Sequence, residues 1–369
     1  MPGPLHGLLV ADFSRVLAGP LATMTLGDLG AEVVKVERPG TGDETRSWAP
    51  PSAPDGTSTY YLAVNRNKRS VSLDLSTPEG REVARELALR ADVLVENFAP
   101  GTMERFGLGY DDLAADNPRL VYASVTGFGR DSALPGYDFL IQAVGGLMSL
   151  TGEPDGAPTK VGVALVDVLA GQNLTSGVLA ALYARERTGR GQRVEVNLLG
   201  SLLAALVNQA SAYLNAGVVG ERMGNRHPSI APYETLRTAD SPIVVAVGND
   251  RQFARLCDGL ATPRLVSDVR FADNPARVRH RDALVAELES VLRSRPAAHW
   301  VEALTAAGVP CGRVNDVAGA FALAERLGLD PVVRQPGWPT SVASPLRLSD
   351  TPVSYRLPPP EQGPPVTPR

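Results

Sequence analysis

The chain has few of the residues from which metal sites and disulfide frameworks are built. Its cysteines and histidines are widely separated in the 369 residues: Cys257 and Cys311, with His6, His227, His280 and His299. Zinc and other transition metals are held by such side chains at short, regular spacings, and none occurs here. The sequence therefore has no local motif for a metal centre, and we expect both cysteines to be reduced thiols.

Common nucleotide-binding and nucleophile motifs are missing as well. The sequence contains no P-loop, no G-x-S-x-G elbow and no H-E-x-x-H segment. Gly40-Thr41-Gly42 follows the second predicted strand, whereas a dinucleotide-binding glycine motif follows the first. Glu37 stands where dinucleotide folds carry their ribose-binding acid, but without the glycine motif we favour a structural role for it.

Charge and hydropathy argue against further classes. A net charge of −4 disfavours a nucleic-acid partner, because such partners select a basic surface. Lysine occurs only as Lys35, Lys68 and Lys160, so the basic side chains are mostly arginines. Asp12, Arg15 and three prolines interrupt the first twenty residues, so we expect no signal peptide. We also find no run of about twenty apolar residues to span a membrane, and we expect a cytoplasmic protein.

Short apolar runs alternate with helical patterns in the first half of the chain. Strands are predicted at residues 8–11, 32–36, 70–75, 92–96 and 120–125, and helices at 21–29 and 78–89. Thr77 is a good N-cap for the second of these helices, with Pro78 at its first position. Such alternation predicts an α/β fold with a Rossmann-like, doubly wound parallel sheet.

The pattern changes after residue 190. A strand at 194–197 leads into one long helix over 198–214, and a stretch rich in Gly, Arg, Asn and Pro follows. A strand at 243–247 and helices at 250–259 and 281–292 then predict a second, smaller α/β domain. We expect a large domain over 1–215 plus 320–369, a linker at 216–224 and a small domain over 225–318. The proline-rich tail is expected to wrap a surface or a partner.

One carboxylate has an unusual setting. Asp167 ends the apolar run Val161-Gly162-Val163-Ala164-Leu165-Val166 and precedes a helix of small residues. Its plain interpretation is a helix N-cap, which free backbone N–H groups and the helix dipole would favour. The alternative is a nucleophilic carboxylate in a dry pocket, able to attack a thioester and form an anhydride. Spacing alone leaves both interpretations open.

Several longer blocks resemble the class III CoA-transferase family, also called the CaiB/BaiF family, over nearly the whole chain. The blocks are Arg15-Val16-Leu17-Ala18-Gly19-Pro20, residues 27–37 (GDLGAEVVKVE), Asn67-Lys68-Arg69-Ser70, Val95-Glu96-Asn97-Phe98-Ala99-Pro100-Gly101 and Gly136-Tyr137-Asp138. Together they are far more specific than any single motif. The resemblance implies a Rossmann-type large domain, a small domain and an interlocked homodimer.

The resemblance also implies roles for individual residues. Asp167 matches the family's nucleophile, which forms a mixed anhydride with the donor acyl group and then a thioester with CoA. The positions matching its CoA contacts, with a phenol at the reaction centre, are Arg38, Leu73, Asn97, Phe98, Arg105 and Tyr137. CoA and acyl-CoA are then substrates, and no permanently bound cofactor, metal or ATP is expected.

Within the family, the chain is similar to the succinate–hydroxymethylglutarate (glutarate) CoA-transferase branch. Residues 58–68, 229–233 and 247–253 carry that similarity, which favours succinyl-CoA and a small dicarboxylic acid as substrates. A dicarboxylate needs a cation or hydrogen-bond donors for its distal carboxylate. The candidates for substrate contacts are Trp48, Arg66, Arg226, His227 and Ser229.

The sequence also bears on three alternative functions. Leu17 replaces the glutamine of formyl-CoA transferase, and that enzyme's glycine-rich loop has no counterpart near Gly248, so a formyl-CoA or oxalate specificity is disfavoured. The family's 2-methylacyl-CoA racemases have a histidine where this chain has Tyr137, so the second base of that chemistry is missing here. A catalytically silent CoA-binding protein is a further alternative.

Relatives usually continue past Pro358-Pro359-Pro360 with a further helix, so we expect the tail's dimer packing to differ.

Overall fold

The structure is a computed structural model, and it describes residues 2–365. It divides into two compact units. The first comprises Met1–Met148, Lys160–Val219 and Leu329–Arg369, and the second comprises Ser149–Thr159 and Gly220–Gly328. The short segment Ser149–Thr159 thus belongs with the second unit, although the predicted boundaries assigned it to the large domain.

A six-stranded sheet forms the centre of the first unit. Its strands are β1 (Leu9–Asp12), β2 (Glu32–Glu37), β3 (Lys68–Ser72), β4 (Val93–Glu96), β5 (Val121–Thr126) and β6 (Arg193–Asn197). Their order is β3-β2-β1-β4-β5-β6, and every neighbouring pair is parallel. The predicted Rossmann-like sheet is confirmed. The third strand lies two residues earlier than predicted, because its residues from Lys68 onward pair with β2.

The strand order reverses between β1 and β4, which is where doubly wound folds bind ligands at the carboxyl ends of the strands. The segments that follow these two strands, residues 13–17 and 97–101, therefore meet at one edge of the sheet. Phe13 N–H donates to the Val95 carbonyl at 2.8 Å, which continues the pairing beyond β1. The sheet thus positions these two loops side by side.

Helices cover the sheet of the first unit. They are α1 (Ala18–Asp28), α2 (Thr59–Ala63), α3 (Pro78–Arg90), α4 (Thr102–Arg105), α5 (Tyr110–Ala114), α6 (Asp138–Val144), the start of α7 (Leu147–Leu150), whose last two residues belong to the second unit, α8 (Leu165–Thr188), α9 (Leu198–Ala205) and α10 (Val207–Ala216). The Thr77 hydroxyl accepts the Gly80 N–H, which confirms the predicted cap. The single helix predicted over 198–214 is wrong, because Val207 has φ 39° and a left-handed residue interrupts the regular helix.

Helix α8 is the central helix of this unit. It packs against α1, α9, β5 and β6, and its inner face buries Val166, Ala170, Leu174 and Val178 in the main apolar core. By length and composition alone, α8 could cross a membrane, although Asp167, Gln172 and Asn173 interrupt its apolar residues, so the expectation that no segment spans a membrane stays a prediction. Its packing shows why a core helix meets the same criterion: both environments select apolar side chains.

The second unit is a smaller α/β unit with its own core. Its strands β7 (Tyr233–Leu236), β8 (Ile243–Ala246) and β9 (Cys311–Arg313) form an antiparallel sheet in that order. Its helices are α11 (Asp250–Gly259), α12 (Asn274–Arg279), α13 (Arg281–Leu292), α14 (Ala297–Ala306) and α15 (Val317–Arg326). Phe253, Phe271 and Trp300 are buried between the sheet and these helices.

The tail returns to the first unit. Short strands β10 (Val332–Val333) and β11 (Ser341–Val342) pair with each other, and an extended segment then follows β3. Asn67 N–H donates to the Leu357 carbonyl at 2.9 Å and Ser72 N–H to the Pro364 carbonyl at 3.3 Å. The tail therefore covers the exposed edge of the sheet, and proline suits this outer position because it does not need to donate to a further strand.

Candidate active site

Two adjoining cavities lie at the carboxyl edge of the large sheet. The switch-point cavity, about 290 Å³, is lined by residues 15–18 after β1, 97–100 after β4 and 132–137 before α6, together with Asp167. The outer cavity, about 590 Å³, lies over the ends of β2 and β3. Arg15, Glu44 and Phe98 line both cavities, so together they form one elongated site.

The loops that follow β1 and β4 are joined by hydrogen bonds. Asn97 accepts the Arg15 N–H at 2.9 Å through its side-chain oxygen and donates to the Arg15 carbonyl at 2.7 Å. The Arg15 guanidinium lies over the Phe98 ring, 4.9 Å from its centroid. Val16 has φ 69°, a strained conformation for a β-branched residue, and its N–H donates to Asp43 at 3.4 Å. Asn97 therefore acts as a clamp between the two loops.

The outer cavity contains some of the predicted CoA contacts. Arg38 is exposed at its rim and Leu73 is buried in its wall. Arg105 does not line it: this side chain lies on α4, where it donates to the Thr102 hydroxyl. Arg15, which the residue-by-residue reasoning did not single out, supplies a cation to both cavities. Its position directly after β1 was the signal that would have identified it.

Asp167 is the third residue of α8, so the N-cap interpretation is wrong. The N-cap position is occupied by Ala164, whose side chain cannot accept a hydrogen bond. The cap comes from α6, because Asp138 accepts the Val166 N–H at 2.7 Å and the Asp167 N–H at 3.4 Å. Among the described residues, none donates a hydrogen bond to the Asp167 carboxylate. Burial and the neighbouring Asp138 charge raise the pKa of Asp167 to about 7.

A third cavity also borders Asp167. This aromatic cavity, about 580 Å³, is bounded by Trp48, Tyr60 and Phe139 and by the segment 162–164. Val16, Leu17, Tyr137 and Asp167 line both it and the switch-point cavity. Asp167 therefore lines both cavities.

The aromatic side chains give the third cavity a defined wall. Trp48 and Tyr60 pack edge to face, with ring centroids 5.0 Å apart and an interplanar angle of 69°. Burial, together with the charges of Asp167 and Asp138, raises the pKa of Tyr60 to about 12. Its hydroxyl therefore stays protonated at neutral pH and can donate a hydrogen bond to an oxygen in the cavity. Tyr137 is largely exposed and lies between the two spaces.

The other predicted substrate residues lie elsewhere. Arg66 is buried, and its guanidinium donates to Asp28 at 3.0 and 2.6 Å and to the Val342 carbonyl at 2.7 Å. We therefore withdraw it as a substrate contact, because its charge is already neutralised and it fixes the tail to α1. Glu37 is likewise held by Arg46 at 2.7 Å, in keeping with a structural role.

The remaining candidates belong to the second unit. His227 packs against Tyr233 and its Nδ1 accepts the Ser229 N–H at 3.1 Å. Arg226 is paired with Glu234 at 3.5 Å and with Asp282 at 3.1 Å. None of these three lines the cavities around Asp167 in the first unit. A substrate role for His227 and Ser229 stays a prediction.

The Rossmann-type sheet has an elongated site across its switch point and an unpaired carboxylate beside that site. This arrangement is typical of α/β enzymes that bind a long, nucleotide-like ligand. Residues 5–364 match the model of CoA-transferase family III. The chain belongs to this family, and it is an enzyme that transfers CoA between carboxylic acids.

Individual relatives are similar over most of the chain. An acetyl-CoA:oxalate CoA-transferase of Acetobacter aceti is 43% identical, with 91% of this chain and 87% of the relative aligned. A mouse succinyl-CoA:glutarate CoA-transferase is 41% identical, with 98% and 84% aligned. The crystal structure of a CaiB/BaiF family protein from Brucella suis superposes with a TM-score of 0.87 at 42% identity, covering 98% of this chain and 97% of that one.

Proposed function

We propose that this enzyme moves CoA from succinyl-CoA to a short dicarboxylic acid, with Asp167 as the covalent carrier. The observation that carries the proposal is the carboxylate of Asp167, which is sheltered, unpaired among the described residues and exposed to two cavities. Relatives named for succinyl-CoA and glutarate support this choice of substrates. Coenzyme A would extend along the outer and switch-point cavities, with Arg15 and Arg38 near its phosphates.

The proposed cycle has four steps. The Asp167 carboxylate attacks the donor thioester, giving a mixed anhydride and CoA thiolate, and the thiolate attacks the aspartyl carbonyl to release the first acid. The acceptor carboxylate then attacks the aspartyl–CoA thioester, and the released thiolate attacks the acyl carbonyl of the new anhydride. Each step exchanges one activated acyl bond for another, so no cofactor, metal or ATP would be required.

The positions of charge fit this cycle. A carboxylate with few hydrogen-bond donors is a stronger nucleophile than a solvated one, and the raised pKa of Asp167 reflects that environment. The N–H groups of Val166 and Asp167 donate to Asp138, so they do not hydrogen-bond to the Asp167 carboxylate and lower its nucleophilicity. Tyr60 and Tyr137 would supply the donors to the oxygens of the anhydride.

Trapping of the intermediate tests the proposal. Incubation with succinyl-CoA followed by hydroxylamine should convert Asp167 alone to a hydroxamate, which peptide mass spectrometry locates. Asp167→Asn is the matched control and should remain unmodified while still binding CoA. Modification of another carboxylate, or full transfer activity in the variant, would overturn the mechanism.

Substrate identity needs a panel, because the Acetobacter relative is named for acetyl-CoA and oxalate. We expect succinyl-CoA with glutarate to give a higher kcat/KM than acetyl-CoA with oxalate. The racemase alternative predicts uptake of deuterium at C2 of a 2-methylacyl-CoA, and we expect none.

We further propose a cytoplasmic homodimer. Exposed apolar side chains on α10, including Tyr213 and Leu214, favour it, and light scattering would show twice the 39.0 kDa chain mass.

A further inference from the structure

The aromatic cavity contains little positive charge. Of the described residues that line it, the ionised ones are Asp138, Lys160 and Asp167. Asp138 is already committed to the N-terminus of α8. Lys160 is therefore the one cation among the lining residues that the structure describes. An anion that enters this cavity therefore meets a lining that includes both the carboxylate of Asp167 and the ammonium of Lys160.

Lys160 differs from the two other lysines of the chain. Lys35 and Lys68 are buried, and their ammonium groups pair with Asp43 at 2.8 Å and with Asp12 at 3.0 Å. Lys160 is exposed and pairs with no carboxylate in residues 2–365; its Nζ contacts only the Val161 carbonyl at 3.2 Å. A single contact with a neutral oxygen leaves most of the donor capacity of an ammonium group available to a ligand.

The backbone beside Lys160 is fixed to the reaction centre. Val161 N–H donates to the side-chain oxygen of Gln142 at 2.9 Å, and the Gln142 amide donates to Asp138 at 2.7 Å. Gln142 is fully buried. Asp138, which caps α8, thus also anchors the residue next to Lys160 through Gln142, so the lysine projects from a segment tied to the same helix end as Asp167.

We propose that Lys160 binds the distal carboxylate of the diacid whose near carboxylate reacts at Asp167. This inference rests on the proposed function and specifies its acid site: the acid occupies the aromatic cavity while CoA occupies the switch-point cavity. Like charges repel at close range, so the ionised Asp167 of the resting enzyme opposes binding of the diacid. Conversion of Asp167 to its neutral CoA thioester removes that repulsion, and Lys160 then attracts the second carboxylate.

Discharge, the transfer of CoA from Asp167 of the loaded enzyme to an added acid, tests this role. Enzyme carrying CoA on Asp167 is prepared with succinyl-CoA, freed of succinate, and mixed with glutarate or with butyrate in single-turnover experiments. Lys160→Met should raise the concentration of glutarate needed for half-maximal discharge by about tenfold or more and leave that for butyrate within about twofold, whereas Lys160→Arg should stay close to wild type for both acids. Equal changes for the two acids, or no change for glutarate, would overturn the role of Lys160.

The two proposals fail in different ways. A wild-type enzyme that never carries CoA on Asp167 would overturn the proposed function. If Lys160→Met and Lys160→Arg both accept CoA on Asp167 normally, and both need the same concentration of glutarate as the wild type for half-maximal discharge, this inference alone is overturned. Loading of Lys160→Met with acetyl-CoA, which lacks a distal carboxylate, confirms that the variant is folded.

A binding measurement adds a readout that is independent of turnover. Reductive methylation with labelled formaldehyde should mark Lys160 and the chain's amino terminus, because Lys35 and Lys68 are buried in ion pairs. In the Asp167→Asn enzyme with CoA, glutarate should shift the methyl resonance of Lys160 and butyrate should not. A resonance that responds equally to both acids, or to neither, would contradict the proposed contact.

Discussion

Two sheltered aspartates of the first unit show opposite behaviour. Asp12, at the end of β1, is fully buried, and burial alone would raise its pKa. Lys68 and Lys35, with hydroxyls from Ser14 and Thr23, outweigh burial and lower it to about 2. Asp167 is sheltered as well, but a second carboxylate is its main charged neighbour, and its pKa rises to about 7. Burial raises the pKa of both carboxyl groups, and the net shift is downward only at Asp12, where cations and hydroxyl donors outweigh burial.

The difference fits a structural role for Asp12 and the proposed catalytic role for Asp167. Asp12 accepts hydrogen bonds from the Thr23 hydroxyl at 2.7 Å and from Lys68 at 3.0 Å, so its charge is spent on holding α1 and β3 against β1. Asp167 has no such donors among residues 2–365, and it faces two cavities. A carboxylate without hydrogen-bond donors in the folded chain is free to contact a ligand, in line with the proposed role of Asp167.

The largest effect that this comparison predicts is on turnover. Asp167→Asn keeps the size of the side chain and removes the proposed nucleophile, so CoA transfer should fall by about 10⁴-fold or more. Binding of CoA, measured by calorimetry, should change little, because the carboxylate is not paired with a cation that the variant would strand. Residual transfer above about a hundredth of the wild-type rate would show that another group carries the acyl chain.

The second effect is on stability, at the other aspartate. Asp12→Asn leaves the buried ammonium of Lys68 without its counter-charge, and loss of one partner of a buried ion pair costs about 3–5 kcal/mol. Denaturant titration followed by circular dichroism measures this loss. Asp131→Asn is the matched control, because that side chain is almost fully exposed, and its unfolding midpoint should not move. Similar midpoints for the two variants would remove the distinction between structural and reactive carboxylates.

The third prediction concerns pH. The rate at which succinyl-CoA loads Asp167 should rise with pH and level off above about 7, because only the ionised carboxylate attacks. Asp138→Asn removes the like charge and should move the midpoint to lower pH by about one unit or less. Stopped-flow measurements of both enzymes give the midpoints, and CoA binding by the variant serves as the control for its fold. An unchanged midpoint would mean that Asp138 does not set the pKa of Asp167.

The sequence was sufficient for the sheet but only partly for the site. Alternating strands and helices predicted the parallel order, because short apolar runs at regular intervals leave few other arrangements. The capping of α8 was not predictable, since Asp138 reaches the helix from 28 residues earlier in the chain and no local pattern encodes that contact. Arg66 was misjudged for the same reason: its partner Asp28 is 38 residues away. Lys160 stood out in the sequence only as a rare residue, and the structure shows that it lines the same cavity as Asp167.

The smallest predicted effect is on the pH dependence of stability, which has opposite signs for Asp167 and Asp12. The folded-state pKa of Asp167 lies above its unfolded value, so its contribution is fully present below about pH 4 and is lost as pH rises through about 7. Asp167→Asn has no charge to desolvate, and its melting temperature should exceed that of the wild type by a few degrees at pH 8 and by less at pH 5. Asp12 has the opposite sign: its folded pKa is depressed, so its stabilisation holds above about pH 4 and is lost as pH falls towards 2. Scanning calorimetry of wild type and Asp167→Asn across this range tests the argument. A melting difference that did not grow between pH 5 and pH 8 would mean that the Asp167 carboxylate is solvated in the free enzyme and acquires its reactivity only when CoA displaces that water.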